Sequence, residues 1–204
     1  MIRLAALQTV PLPVLQAAAF SAMAAVAMFA LRAFIVDGML RKAIGSRPVV
    51  LVAGQPGAGK GELMRSMSGG RVKTMVYPFI GKIRMADSSF YGKPCRFVCF
   101  RSASDGTSLK RHAARLRHNR PKVVLFAIRA SSDGDAIRMQ QEAFREIAGA
   151  LPGVASIPVL CAPPAEGVAS IKPVTDAFGC GVIDMLRSGK GEEELYKAIS
   201  PHLA

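Results

Sequence analysis

Hydrophobic and polar positions follow two rhythms along this chain. Residues 4–31 carry no charge, and residues 12–36 are dominated by Ala, Val, Leu, Phe and Met, a window long enough to cross a hydrocarbon core as a helix. Arg32 stands near its end, where a long basic side chain can snorkel to the interface. A secretory leader would have a shorter apolar run and a small-residue cleavage site, so the pattern predicts a retained anchor over 12–36. Arg32, Arg41, Lys42 and Arg47 follow the window against the single Asp37, whereas only Arg3 precedes it. The excess of positive charge places the C-terminal part in the cytosol and residues 1–11 across the membrane. Residues 37–47 read as a short polar linker, and 48–204 as one folded domain.

The second rhythm begins at Val49. Short, mainly apolar runs at 49–53, 95–100, 123–128, 157–161 and 182–186, with the mixed stretch 82–85, predict strands, and 123–128 is continuous enough to be buried on both faces. Helical spacing marks 62–68, 109–118, 135–150, 168–178 and 192–202, with Ile137, Ala143, Phe144, Ile147 and Ala148 forming a stripe on the third of these. Residues 71–79 read as a loop and 87–92 as a turn. Strands alternating with helices predict an α/β fold, a mostly parallel sheet with helices on both faces. Phe100, Phe126, Phe144 and Phe178 are expected in its core.

Between the first strand and the first helix of that domain lies Gly54-Gln55-Pro56-Gly57-Ala58-Gly59-Lys60-Gly61-Glu62. A β-branched run, a glycine-rich turn ending in Gly-Lys, and a helix make up the context of a phosphate-binding loop. The glycines allow backbone N–H groups to turn inward as an anion nest, and the helix start adds partial positive charge. Lys60 is placed to reach the phosphates. All nine residues are therefore expected to touch nucleotide. Gly61 departs from the pattern: a Ser or Thr hydroxyl there would ligate magnesium.

Formal charge adds a constraint. The chain has 204 residues and a net charge of +13, which predicts attraction to an acidic partner. Lys110, Arg111, His112, Arg115, Arg117, His118, Arg120 and Lys122 concentrate that charge, without the interleaved aromatics of an RNA platform. Cys95, Cys99, Cys161 and Cys180 lack the spacing of a metal site and read as reduced thiols. Ser102, Asp105 and His112 lack the nucleophile elbow of a hydrolase.

An anchor followed directly by a small P-loop domain resembles the β subunit of the signal recognition particle receptor, a membrane-anchored family within the small-GTPase superfamily. Gly54 to Lys60 is similar to the first GTPase motif, and Thr74 falls where a switch threonine would contact magnesium. Residues 95–109 correspond to the strand and Asp-x-x-Gly motif, but Arg101-Ser102 follows the strand and Asp105-Gly106 lacks the motif's order. Pro158 to Cys161 resembles the strand before the guanine-reading Asn-Lys-x-Asp, which is here Ala162-Pro163-Pro164-Ala165. Ser188, Gly189 and Lys190 are similar to the guanine-contacting loop before the last helix. The resemblance implies GTP as ligand, while the losses at Gly61 and after the second strand count against Mg2+ and against efficient hydrolysis. It further implies a GTPase-like domain at the endoplasmic reticulum membrane, with the receptor's α subunit as partner in co-translational targeting. The basic cluster at 110–122 is then expected beside the docking surface, where a protein or membrane contact is favoured over contact with the ribosome or its RNA. Two other classes fit the same residues: a membrane-bound P-loop NTPase or nucleotide kinase using Lys60, and a membrane-tethered GTPase-like adapter of another trafficking pathway.

Overall fold

The computed structural model describes residues 11–77, 81–90, 92–101, 116, 120–131, 133–162, 172–178, 181–186 and 190–203. It opens with the helix α1, Leu12–Ile44, of 33 residues. At 1.5 Å per residue it is about 50 Å long, which exceeds the expected span. Along its first two thirds large apolar side chains face outward: Phe20, Phe29 and Phe34 are 70%, 71% and 78% exposed. The helix is long and apolar enough to cross a membrane. Residues 37–44 are not the linker that their polarity suggests, because the helix continues through them. Val36, Leu40 and Ile44, spaced by four, are buried in the domain core. Burial of each contributes about 1.5–3 kcal/mol, enough to outweigh the polar residues around them.

A seven-stranded mixed sheet follows, in the order β2-β3-β4-β1-β5-β6-β7. Its strands are β1 Val49–Gly54, β2 Val72–Tyr77, β3 Gly81–Phe90, β4 Lys93–Phe100, β5 Val123–Arg129, β6 Ala155–Ala162 and β7 Ile183–Asp184. The strands from β4 to β7 are parallel, whereas β2 and β3 are antiparallel additions at one edge. Here two expectations fail. Residues 72–77 are a strand rather than a loop, and β3 runs through the anticipated turn to Phe90. β2 is half-exposed and has no apolar run of its own, so pairing with β3 is what makes it a strand.

Helices cover both faces, as the alternation implies. On one face lie the end of α1, α3 (Gly134–Ala150) and α4 (Lys172–Phe178); on the other, α2 (Lys60–Met67), α5 (Lys190–Ile199) and a terminal 3-10 turn, Ser200–Leu203. Successive residues of β1 divide between the two cores, Leu51 and Ala53 facing α1 and Val50 and Val52 facing α2. Phe126, Phe144 and Phe178 pack in series as tilted ring pairs with centroids 5.5 and 5.6 Å apart. α3 buries Ile137, Ala143 and Ile147 as its stripe requires. It also buries Gln140, whose amide accepts from Arg129 N at 2.8 Å and donates to Arg129 O at 3.1 Å.

Arg96 and Asp87 lock α1 to the sheet. They are cross-strand neighbours on β4 and β3, joined by two hydrogen bonds of 2.6 and 2.9 Å. The same guanidinium donates to Ile44 O at 2.7 Å and to Ala43 O, capping the carbonyl end of α1. Arg47 pairs with Asp87 from the following turn, at 3.0 Å.

Candidate phosphate-binding site

The chain reverses direction across the sheet at β1, running outward through α2 to β2, β3 and β4 and then returning to β5 on the other side. Ligands in open α/β sheets bind at such a switch point, beyond the carboxyl ends of the strands. The loop from Gln55 to Gly59 occupies that place.

Its glycines are required by their neighbours. A Cβ on Gly59 would come within 2.8 Å of Cys161 Cβ and 2.9 Å of the Cys161 carbonyl, and its φ of +82° is left-handed. At Gly54 the Ala127 carbonyl would meet a Cβ at 2.5 Å. The loop therefore sits directly on the ends of β5 and β6, and Ala58 and Gly59 are buried while Pro56 and Gly57 are exposed. Lys60 begins α2, and its Nζ donates to Gly54 O at 2.5 Å and Gln55 O at 2.7 Å. Burial lowers its pKa from the usual lysine value, with Arg84 pushing the same way and Cys99 opposing.

Two arginines that the motif does not announce approach the loop. On β3, Arg84 stands opposite Thr74 on one side and Cys99 on the other, on the α2 face of the sheet. Its Nη1 lies 2.7 Å from the point that a Cβ on Gly61 would occupy. Arg129 ends β5, where the register with β6 shifts, and Gln140 holds its backbone. Its Nη1 lies 3.6 Å from the Cβ position of Gly57. Among the described residues, Lys60, Arg84 and Arg129 have no carboxylate partner; Glu62, the nearest acidic neighbour in sequence, pairs with Arg65 at 3.0 Å. Arg84 left no trace in the sequence, since only hairpin pairing carries it to the loop. Arg129 had a faint one, a basic residue at the exit of a buried strand.

Among the described residues, which leave out 102–115 and with them Asp105, the loop suits a polyphosphate and offers magnesium no hydroxyl at 61. Gly61 has no hydroxyl, Arg84 fills the space that one would take, and the strand leading to the second motif, β4, ends at Phe100 before Arg101. Thr74 lies within β2 rather than in a switch loop, exposed and on the same face as Arg84. No cluster of His, Cys, Asp or Glu suited to a metal occurs among the described residues. Lys190 opens α5 and is exposed. Ser188 and Gly189, the slot at 163–165 and most of the basic cluster lie outside the described residues. Of that cluster, Arg120 donates to Pro152 O at 2.6 Å, and Lys122 N donates to Val49 O at 2.9 Å.

Two buried thiols, Cys161 and Cys99, lie near the loop, and a third, Cys95, lies at the opposite end of β4. Burial pushes Cys95 and Cys161 up to about 12 and Cys99 to about 11, the last restrained by Lys60 and Arg84. They are neutral, unreactive core groups at physiological pH.

No family model matches the chain, and no curated protein matches its sequence. Among solved structures, the G domain of the T. maritima FeoB iron transporter superposes with a TM-score of 0.57 at 16% identity, over 77% of this chain and 99% of that one. The cytosolic domain of the same transporter gives 0.52 in its apo form, at 15% identity over 76% of this chain. In a GDP form it gives 0.51, again at 15% identity over 76% of this chain. The chain spans 63% of that cytosolic domain's length. The fold from β1 onward is that of a P-loop GTPase G domain.

Proposed function

We propose that this protein is a membrane-anchored, GTPase-like scaffold of the kind formed by the β subunit of the signal recognition particle receptor. It would hold the receptor's α subunit at the endoplasmic reticulum membrane for co-translational targeting. The observation that carries the reading is the joint between anchor and G-domain fold. An outward-facing apolar helix runs without interruption into the core of the domain, where Val36, Leu40 and Ile44 are buried. A partner bound to such a domain is held at a fixed distance from the bilayer, with no flexible tether between. The domain's own site supports binding over turnover, because the metal-holding groups of phosphoryl transfer are replaced by glycine and arginine. The G-domain neighbours include a GDP form, which supports a guanine nucleotide as the occupant of the loop.

The test is affinity capture of the tagged full chain from detergent-solubilised membranes, followed by identification of what co-purifies. The receptor α subunit is the expected partner, and its absence would sink the assignment. A membrane-bound NTPase is the second reading, favoured by the intact loop and the placement of Lys60. It would show nucleotide turnover that Lys60→Ala abolishes.

A further inference from the structure

We propose that the loop binds the polyphosphate of a nucleotide without a divalent cation, the Arg84 guanidinium serving in the metal's place. The inference rests on the phosphate-binding reading of the loop and concerns what balances the phosphate charge.

In a P-loop with a hydroxyl after its lysine, that hydroxyl helps to hold magnesium against the phosphates. Here the hydroxyl is missing, and its space is filled by a side chain from another part of the fold. With Arg84 Nη1 2.7 Å from the Cβ position of residue 61, a serine at 61 would meet the guanidinium unless the arginine moved. The replacement is positional as well as chemical: a cation carried by the protein stands where the group that recruits one would stand. Arg129 adds a second guanidinium at the other rim, 3.6 Å from the Gly57 Cβ position. Guanidinium groups bind phosphate oxygens with paired, charge-assisted hydrogen bonds and stay ionised at any physiological pH.

The arrangement also needs an anion for its own sake. Lys60, Arg84 and Arg129 surround the loop without a carboxylate partner among the described residues, Arg65, 3.8 Å from the same Gly61 position, being paired with Glu62, and Arg84 adds to burial in disfavouring the charged form of Lys60. Three like charges around one loop repel, and a polyphosphate reverses the sign of that interaction. The hairpin makes the placement specific. Because Arg84 alternates with Ile83 and Met85, which are buried in the opposite core, its side chain is held on the α2 face.

The decisive experiment is calorimetric titration of the full chain in detergent micelles with GTP, GDP and inorganic pyrophosphate, in EDTA and in magnesium. The expected result is the same affinity in both conditions. Arg84→Ala should weaken binding in EDTA by about ten- to a hundredfold, the value of a charge-assisted hydrogen bond, with an unchanged melting temperature. Arg84→Lys, which keeps the charge, should retain more of the binding than Arg84→Gln, which keeps only length and polarity. Binding seen only with magnesium would overturn the proposal while leaving the phosphate site intact. Binding in EDTA that Arg84→Ala and Arg84→Gln leave unchanged would overturn the role of Arg84. Failure of all three ligands in both conditions would instead remove the phosphate-binding reading itself.

Discussion

Two arginines of one hairpin do opposite things. Arg96, on β4, faces α1 and is well partnered: Asp87 takes two of its five donors and the carbonyls of Ala43 and Ile44 take two more. Arg84, on β3, faces α2 and meets a backbone loop and another cation, with no carboxylate partner among the described residues. The first places a guanidinium where a helix end and an aspartate supply negative charge, and the product is a rigid joint. The second gathers positive charge around glycines that leave the backbone open, and the product is a place for an anion. The difference lies in what surrounds the side chain, since the residue type and the supporting hairpin are the same.

The comparison predicts that damage to the two regions separates into loss of binding and loss of stability. The largest effect is expected from Gly59→Val, which combines a left-handed φ with contacts to the Cys161 backbone. It should lower the unfolding free energy by about 3 kcal/mol and abolish phosphate binding, as read by denaturant titration and calorimetry. A fully stable variant would mean that the loop does not rest on β6 as described. Next comes Arg96→Ala. Loss of its bonds to Asp87 and to the helix carbonyls should cost about 2 kcal/mol of stability while phosphate affinity stays at the wild-type value. If affinity fell with stability, the two regions would be coupled and the contrast would fail.

The smallest effect concerns Asp87. Its hydrogen bond to Arg96, aided by the charges of Arg96 and Arg47, lowers the carboxyl pKa from 3.8. The stabilisation is therefore fully present above pH 3.8 and is lost as pH falls through the lower, folded-state value. With the side chain half exposed, solvent screening leaves roughly 0.5 kcal/mol, and Arg96→Ala should flatten this acid limb of the stability curve. A limb of equal depth in the variant would show that Arg96 is not what holds Asp87 ionised.

Much of this molecule was legible from pattern alone, and the reasons are local. β1 and β5 are short continuous apolar runs rich in β-branched residues, the pattern of strands buried on both faces. The P-loop was legible because its glycines and lysine are consecutive. The end of α1 was harder. Asp37-Gly38 and Arg41-Lys42 look like a polar connection, although Val36, Leu40 and Ile44 already carry the four-residue spacing of a docked helix. The β2 strand had no comparable signal, because half of it faces solvent and its partner defines it.

What the amino-acid order determined on its own is whatever depends on neighbours in the chain: the apolar helix, the buried strands, the phosphate loop and the missing hydroxyl at 61. The tertiary structure alone decided which cations reach that loop. Side chains on a strand alternate between faces, so the register of β3 with β2 and β4 sends Arg84 to one face of the sheet and Asp87 to the other. A shift of one residue would exchange them, and no property of either residue by itself says which register will form.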